Sequence, residues 1–286
     1  MPGQAASDSD FLIIGAGIAG ASLGYFLAPH GRVTLLERES QPGYHSTGRS
    51  AALFLASYGT AQVRALTLAS RAFFDAPPSG FADTPILTPR GTLFVAAPGQ
   101  QDLLDEHCAL LRRMSPQSRR LSRDEAIARV PVLRPQTLLG AALEPDASDI
   151  DVHALHQGYL RGFRRAGGQV RCDAELVAAQ REGDHWQLQL AAGAPVRCRS
   201  LVNAAGAWGD VLAARCGAAP VGLVPRRRSA FTFAAPEGVA SAHWPAIVGI
   251  DESWYFKPDA GRLLGSPANA DDTVPHDAQP EELDIA

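Results

Sequence analysis

The stretch that decides the fold reads Phe11-Leu12-Ile13-Ile14-Gly15-Ala16-Gly17-Ile18-Ala19-Gly20. Its four leading residues are apolar without alternation, which is typical of a strand that is buried on both faces. The GxGxxG pattern of residues 15–20 follows, and residues 18–27 predict a helix. A second buried strand is predicted over residues 33–36. These elements predict a β-α-β unit, in which two parallel strands are joined by a right-handed crossover.

Each of the three positions in this turn requires glycine for a different physical reason. Gly15 permits the tight turn, Gly17 allows a pyrophosphate to approach the backbone, and Gly20 allows the helix to pack on the strand. The first N–H groups of the helix and the positive end of its dipole then face the phosphates. Glu37 follows the second strand, where its carboxylate can accept hydrogen bonds from ribose hydroxyls and disfavours a 2′-phosphate. We therefore predict a dinucleotide site; the alternative is a glycine-rich turn beside an exposed glutamate.

The composition excludes several classes of protein. The 286 residues include 26 Lys and Arg against 30 Asp and Glu, so no nucleic-acid-binding surface is expected. With 46% hydrophobic and 20% charged residues, the chain can bury a full core and is not disordered. No metal-ligand spacing is visible. No stretch approaches the ~18–20 apolar residues of a membrane span, and the first residues lack a signal-peptide pattern. We expect a cytoplasmic protein and leave open a peripheral contact with the inner face of the membrane.

Beyond the first unit, helical patterns alternate with short strands. Helices are predicted over residues 61–74, 100–114, 124–130, 152–165 and 209–215. Strands are predicted over residues 175–180, 186–190 and 201–206, and an antiparallel meander over residues 229–233, 246–250, 254–256 and 262–264. The fold class is therefore α/β, a Rossmann-like nucleotide-binding domain interleaved with a second domain of antiparallel β-sheet and helices. The first domain is predicted to comprise residues 8–85 and 146–220, and the second residues 86–145 and 221–286.

Two later segments carry a resemblance to a known family. Residues 43–52, Gly-Tyr-His-Ser-Thr-Gly-Arg-Ser-Ala-Ala, resemble the second flavin-contacting segment of the D-amino-acid oxidase superfamily. Residues 201–208, Leu-Val-Asn-Ala-Ala-Gly-Ala-Trp, resemble the later flavin motif of that superfamily. Together with residues 156–162, 227–231 and 257–270, this run of motifs is similar to the bacterial FAD-dependent D-arginine dehydrogenases. The resemblance spans nearly the whole chain and implies that the Rossmann-like domain binds FAD.

The resemblance also implies which residues contact FAD. Ser46, Thr47 and Ser50 supply hydroxyls, and Arg49 supplies a guanidinium, in a loop of small residues that can lie against a pyrophosphate. Without the resemblance, we would interpret this loop as an ordinary polar turn. The implied cofactor-binding residues are Gly15, Gly17, Ala19, Gly20, Glu37, Arg38, Ser46, Thr47, Gly48, Arg49, Ser50, Ala51, Ala52, Leu176, Ala204, Ala205, Gly206 and Trp208.

A carboxylate-binding site is implied by three further residues. Arg228 ends the basic triplet of residues 226–228, and the resemblance implies that it binds the carboxylate of an amino acid, for which a planar guanidinium is suited. The alternative is a solvated basic triplet. Tyr58 and Tyr255 match family tyrosines that border this carboxylate, and a tyrosine combines an apolar wall with one hydroxyl. No catalytic side chain is predicted, because the implied reaction moves the α-hydrogen of the amino acid to FAD as a hydride and needs no side-chain base.

The chain departs from the D-arginine dehydrogenases at the substrate side chain. Thr92 stands where that group carries a carboxylate to receive a basic side chain. Leu53 and Leu55 stand in a loop that is more polar in that group. A desolvated guanidinium without an anion costs several kcal/mol. We therefore expect Thr92, Leu53 and Leu55 to favour neutral or apolar D-amino acids.

The implied reaction is oxidative deamination. FAD takes a hydride from the α-carbon of a D-amino acid, and water converts the imino acid to a 2-oxo acid and ammonia. The substrate is then a small molecule, and the electron acceptor, a quinone chain or oxygen, stays open. The alternatives are an amine oxidase of the same fold acting on sarcosine or glycine, an NAD-dependent dehydrogenase, and a fragment that binds FAD without turnover. Residues 277–286 look like the start of a helix from which family members continue, so we expect a fragment of a longer protein.

Overall fold

The computed structural model describes residues 8–285 of the chain. Residues 1–7, where we expected no signal peptide, and Ala286 lie outside the described residues. The helices are α1 (Ile18–Leu27), α2 (Ala61–Asp75), α3 (Gln101–Met114), α4 (Arg123–Arg129), α5 (Val152–Arg165), α6 (Gly209–Arg215) and α7 (Glu282–Ile285). The helices predicted between residues 18 and 215 are confirmed, and their ends differ from the prediction by at most one residue. Within the described chain, no helix combines the length and the apolar character that crossing a bilayer requires.

The strands are short and form four sheets. In chain order they are β1 (Asp8–Ile14), β2 (Val33–Leu36), β3 (Leu53–Phe54), β4 (Leu87–Pro89), β5 (Thr92–Ala96), β6 (Arg119–Ser122), β7 (Gly140–Glu144), β8 (Ser148–Ile150), β9 (Gln169–Arg171), β10 (Leu176–Glu182), β11 (His185–Leu190), β12 (Val196–Asn203), β13 (Arg226–Arg227), β14 (Phe231–Phe233), β15 (Ala246–Gly249), β16 (Tyr255–Asp259), β17 (Arg262–Ser266) and β18 (Asp271–Asp272). Two of the sheets are large, and the functional site lies on residues from both of them.

The six-stranded sheet has the order β10-β11-β12-β1-β2-β9. Strand β1 runs parallel to both of its neighbours, β12 and β2, and β9 continues the parallel set. The antiparallel hairpin β10–β11 extends the sheet on the other side of β12. Leu12 and Ile13 of β1 are fully buried, as expected of a strand that is covered on both faces. The predicted β-α-β unit is confirmed and forms the middle of this sheet.

Helices α1 and α5 pack together over one face of the six-stranded sheet. A cluster of aromatic rings fills the space beside them, and the ring of Phe81 lies edge-on to that of Tyr159 at 5.1 Å. Gly158 of α5 faces Phe81 so closely that a Cβ atom at this position would lie 2.4 Å from the ring. A side chain at Gly158 would therefore displace part of the core.

The seven-stranded sheet has the order β14-β17-β16-β15-β5-β7-β6. Its last four strands in the chain are antiparallel to one another, as predicted, but β15 pairs with β5 in parallel. The sequence did not predict β5, β6 or β7. All five side chains of β5 are buried, so this strand lacks the alternation of polar and apolar residues that marks a half-buried strand. The sheet is consequently mixed rather than purely antiparallel.

A buried ion pair links the seven-stranded sheet to the three-stranded sheet β3-β8-β4. Lys257 of β16, 3% exposed, places its Nζ 2.8 Å from Oδ1 of Asp149 in β8. The other oxygen of Asp149 accepts a hydrogen bond from Nε of Arg90 at 2.7 Å. Two cations therefore share one carboxylate, which compensates for the cost of burying these charges.

Gly158→Ala tests the packing of α5 against the aromatic cluster. The added methyl group would overlap the Phe81 ring, so the free energy of unfolding should fall by about 1–3 kcal/mol. Gly209→Ala in α6 is the matched control, because a Cβ atom there meets its nearest neighbour at 3.8 Å. The control should change stability by no more than about 1 kcal/mol. Equal unfolding midpoints in urea for the two variants would contradict this packing.

Candidate cofactor cleft and substrate cavity

A cleft of about 140 Å³ opens where β1, β2 and β12 end. The carboxyl ends of parallel strands are the usual place for ligands in open α/β sheets. The predicted cofactor residues that line this cleft are Gly15, Gly17, Glu37, Arg38, Ser46, Thr47, Leu176, Ala204, Ala205, Gly206 and Trp208. Segments more than 150 positions apart in the chain therefore meet at the site that the motifs indicated.

The glycine turn is shaped by very close backbone contacts. Gly15 has a φ of +103°, and a Cβ atom there would lie 2.4 Å from the carbonyl oxygen of Ala204. A Cβ atom on Gly20 would lie 1.9 Å from the carbonyl oxygen of Gly15. The packing role predicted for Gly20 thus corresponds to a space that admits no side chain. Helix α1 starts without a side-chain cap from Gly17, and the N–H of Ile18 donates to Oγ1 of Thr47 at 3.0 Å.

Glu37 is buried and bound to the turn itself. Its Oε2 accepts a hydrogen bond from the N–H of Ala16 at 2.9 Å, and its Oε1 accepts one from the N–H of Glu39 at 3.0 Å. Each carboxylate oxygen can accept a further hydrogen bond, so these contacts leave acceptor capacity for a ribose. The predicted contact to a cofactor hydroxyl is therefore combined with a structural role that the sequence did not reveal.

His156 of α5 holds the other side of the same peptide. Its Nε2 lies 2.8 Å from the carbonyl oxygen of Ala16, and because a carbonyl can only accept, Nε2 carries the proton. Burial lowers the pKa of His156 below its ordinary value, which favours the neutral ring. His156 thus fixes the turn through the carbonyl of Ala16 and does not line the cleft.

The opposite wall of the cleft is aromatic and cationic. The guanidinium of Arg38 lies 4.8 Å from the ring centroid of Trp208, and the ring of His45 lies 4.6 Å from it. The carbonyl of Leu176 accepts a hydrogen bond from Arg215 of α6. Arg215 also lines the cleft and was not predicted from the sequence. These contacts stabilise a surface that a flat ring system can face.

Several predicted cofactor residues lie outside the cleft lining. Ala19, Gly20 and Gly48 contribute to the backbone around it, and Ser50, Ala51 and Ala52 line the second cavity described below. Arg49 lines neither cavity. Its guanidinium binds Oδ1 of Asp277 at 2.6 Å and the carbonyl oxygen of Ala278 at 2.9 Å. The sequence could not predict this partner, which is more than 220 positions away.

The second cavity, of about 520 Å³, lies beside the flavin-type loop. Five of the predicted substrate residues line it together: Leu53, Leu55, Tyr58, Arg228 and Tyr255. Most of the remaining lining is apolar and includes Phe54, Val63, Leu66, Phe74, Phe94, Ile150 and Val248. This arrangement can hold a small molecule with an apolar portion and one anionic group.

The three arginines of the basic triplet have different environments. Arg226 lies 3.2 Å from a carboxylate oxygen of Asp272. Arg227 is bound by three carboxylates, those of Asp271, Glu281 and Asp284. Arg228 donates from Nε to the carbonyl oxygen of Asn269 at 3.1 Å and lines the cavity. No carboxylate in residues 8–285 forms an ion pair with Arg228, so its outer nitrogens remain for an anionic ligand.

Thr92 does not line the cavity. It is fully buried in β5, where it stands opposite Glu144 of β7, and its hydroxyl has no hydrogen-bond partner. The structure does not support the prediction that Thr92 contacts the substrate, because its fully buried side chain does not reach the cavity surface. Phe94, two positions further along the same strand, lines the cavity instead.

The sequence analysis did not identify two parts of the cavity lining, helix α2 and Glu252. Helix α2 presents Val63, Leu66, Ser70 and Phe74 to the cavity, and these positions follow the helical period. No residue of α2 is fully buried: its apolar face covers the cavity, and Phe73 near its end stacks on the core ring of Tyr159. Glu252 also lines the cavity, with a φ of +58° that is unusual for a residue other than glycine. Strained positions of this kind concentrate at functional sites.

Comparison with families and curated proteins gives two findings. A family model described as FAD dependent oxidoreductase (DAO) matches residues 10–286. The L-2-hydroxyglutarate dehydrogenase of Escherichia coli (strain K12) is 24% identical over 241 residues, which make up 80% of this chain and 54% of that protein. The chain therefore spans about half the length of the curated relative that it matches.

Solved structures share the fold at low identity. The glycine oxidase from Geobacillus kaustophilus superposes with a TM-score of 0.82 at 23% identity, covering 97% of this chain and 75% of that one. The dithionite-reduced L-α-glycerophosphate oxidase from Mycoplasma pneumoniae, with FAD bound, superposes with a TM-score of 0.83 at 16% identity, covering 94% of this chain and 73% of that one. Identities this low establish the fold and leave the substrate to be argued from the site.

The cleft fits FAD on the observations above. The turn at Gly15 excludes any side chain, and Ala204, Ala205 and Gly206 offer no bulk against an approaching ligand. In the first turn of α1, Thr47 binds the N–H of Ile18, and the N–H groups of Ala19 and Gly20 remain for a pyrophosphate. Glu37 lines the same cleft directly after β2, where the Rossmann pattern expects an acidic residue. FAD is the cofactor that the family match and these residues support.

Glu37→Gln tests the link between the turn and the cofactor. An amide cannot accept at both of its polar atoms, so either the N–H of Ala16 or that of Glu39 loses its partner. Hydrogen bonds to charged groups contribute ~1.5–3 kcal/mol, and the Kd for FAD should rise about tenfold or more. The measurement is quenching of flavin fluorescence by deflavinated protein. Glu182→Gln, at the exposed end of β10, is the control, and equal Kd values for the two variants would refute this role.

Proposed function

Because this chain belongs to the FAD dependent oxidoreductase (DAO) family, we propose that it catalyses the oxidative deamination of D-amino acids with neutral or apolar side chains. The observation that carries the proposal is the environment of Arg228. This arginine, without an ion-pair partner in residues 8–285, borders a mostly apolar cavity next to the cofactor loop. An amino acid presents the matching features, a carboxylate and a side chain.

Arg228 would bind the substrate carboxylate through its outer nitrogens, since its Nε is already held by Asn269. A guanidinium binds both oxygens of a carboxylate and so fixes the orientation of the α-carbon. Tyr58 and Tyr255 line the same cavity and can each donate one hydroxyl hydrogen bond to the carboxylate. Bound FAD would supply the acceptor for a hydride from the α-carbon of the neutral amine, and water would hydrolyse the resulting imino acid to a 2-oxo acid and ammonia.

The cavity wall supports a preference for apolar side chains. Leu53, Leu55, Phe94 and Val248 surround the space, and each buried methylene group of a ligand gains ~0.8 kcal/mol there. Glu252 is the carboxylate of the lining and is exposed, so solvent weakens its attraction for a basic side chain. D-Arg and D-Lys would have to lose hydration inside an apolar space without a buried anion.

A second candidate is an amine oxidase acting on glycine or sarcosine. The same carboxylate site would serve these substrates, and a named structural neighbour is a glycine oxidase. The apolar wall argues against it, because glycine has no side chain that could pack against Leu53, Leu55 and Val248. Activity that increases with the size of an apolar side chain would separate the two candidates.

Arg228→Ala and Arg226→Ala form a matched pair that tests the carboxylate site. Losing the ion pair to the substrate should lower kcat/KM for D-leucine by about 10- to 100-fold in Arg228→Ala. Arg226 pairs with Asp272 outside the cavity, so its variant should stay within about twofold of the wild type. An artificial electron acceptor makes the assay independent of whether oxygen or a quinone is the natural acceptor. Equal losses in both variants would contradict the assignment.

Glu252→Gln tests the selectivity of the cavity. The wild type should oxidise D-leucine and D-methionine with a higher kcat/KM than D-arginine and D-lysine. Removing the charge of Glu252 should lower kcat/KM for the two basic substrates by about twofold to fivefold, as expected for an exposed ion pair, and leave D-leucine unchanged. A kcat/KM for D-arginine far above that for D-leucine in the wild type would overturn the proposed preference.

A further inference from the structure

Glu144 is a buried carboxylate that the proposed reaction does not use. It ends β7, is 2% exposed, and forms no ion pair among the described residues. Burial raises the pKa of Glu144, and the hydrogen bonds that it accepts oppose this rise. A carboxylate is costly to bury without a cation, so its few contacts must explain why it is there.

All hydrogen bonds that Glu144 accepts come from one loop. Its Oε1 accepts from the N–H of Ala56 at 2.9 Å and from the N–H of Ser57 at 3.3 Å. Its Oε2 accepts from the hydroxyl of Ser57 at 2.5 Å. Ser57 is itself buried, so without Glu144 its N–H and hydroxyl would lose these partners inside the protein.

This loop connects two elements that line the substrate cavity. It joins β3 to α2, and the residues on either side of the bonded pair, Leu55 and Tyr58, both line the cavity. Helix α2 packs against the core near its C-terminal end, through Phe73 and Phe74, whereas its first turn, which follows the loop, is exposed. Within residues 55–60, the hydrogen bonds to the seven-stranded sheet are those to Glu144, and Leu55 packs against apolar residues of the same sheet.

We propose that Glu144 is a positioning residue that fixes the Ala56–Ser57 peptide and thereby holds Leu55 and Tyr58 against the substrate. The proposal rests on the proposed function only in that the cavity receives the substrate. The residue acts through Tyr58 and does not touch the ligand. Its removal should loosen the loop first and weaken substrate binding as a consequence.

The first experiment measures hydrogen exchange in the FAD-loaded protein and needs no activity. In Glu144→Ala, amide exchange in residues 53–60 should be at least about tenfold faster, whereas β1 should keep its protection. Glu144→Gln keeps the shape and one acceptor oxygen, so its exchange should stay near that of the wild type. Glu106→Ala, an exposed carboxylate of α3, is the control. Unchanged exchange in residues 53–60 of Glu144→Ala would overturn the proposal.

The second experiment is a double-mutant cycle with Tyr58→Ala. Glu144→Ala should raise KM for D-leucine about tenfold with a smaller change in kcat, and this rise should shrink to less than about twofold when Tyr58 is already absent. An equal rise in both backgrounds would show that Glu144 does not act through Tyr58. Glu144→Asp, one methylene shorter, replaces Glu144→Ala if the latter does not fold. A wild type that oxidises no D-amino acid refutes the proposed function, while hydrogen exchange still decides the role of Glu144.

Discussion

The approach of α1 to the turn after β1 is the contact on which the rest of the structure depends. Gly20 lies against the carbonyl of Gly15 at a distance that no other residue could adopt without moving the backbone. The peptide of Ala16 is then bound on both sides, its N–H by Glu37 and its carbonyl by His156. The turn is thus held by the end of β2 and by α5, and the cofactor cleft is preformed.

The substrate cavity is likewise held by buried polar contacts, which lie behind its apolar lining. Its walls come from the β3–α2 segment, from β5 and from β15–β16, which belong to different sheets. The Lys257–Asp149 ion pair and the Glu144–Ser57 contact join these elements behind the lining. Buried polar groups of this kind stabilise one arrangement, because any other leaves a charge or a donor without a partner. In the proposed function, Arg228 is left free for the ligand.

The sequence predicted those parts of the fold whose signal is local. The β1-α1-β2 unit and the long helices follow from apolar runs, period and glycine spacing, and their ends agree closely with the structure. Strands β5 to β7 were missed because they are short, and a short apolar run does not by itself distinguish a strand from part of a buried helix. The parallel contact between β15 and β5 joins residues about 150 positions apart, and no local pattern records such a pairing.

For the site, most of the residues that the motifs indicated line either the cleft or the cavity. The motifs did not reveal which charged side chains form ion pairs with one another. Arg49 binds Asp277 rather than the cleft, and in residues 8–285 Arg226 and Arg227 pair with carboxylates whereas Arg228 does not. Thr92 is fully buried and does not line the cavity, whereas Glu144, opposite it, accepts hydrogen bonds from the Ala56–Ser57 loop. Such assignments depend on tertiary partners, which a single sequence does not contain.

The proposed oxidation of neutral D-amino acids is tested most directly by adding D-leucine or L-leucine anaerobically to the FAD-loaded protein while the flavin absorbance is recorded. We expect the yellow absorbance to be lost with D-leucine and to persist with L-leucine. Loss with L-leucine alone, or persistence with every neutral D-amino acid while FAD stays bound, would contradict it.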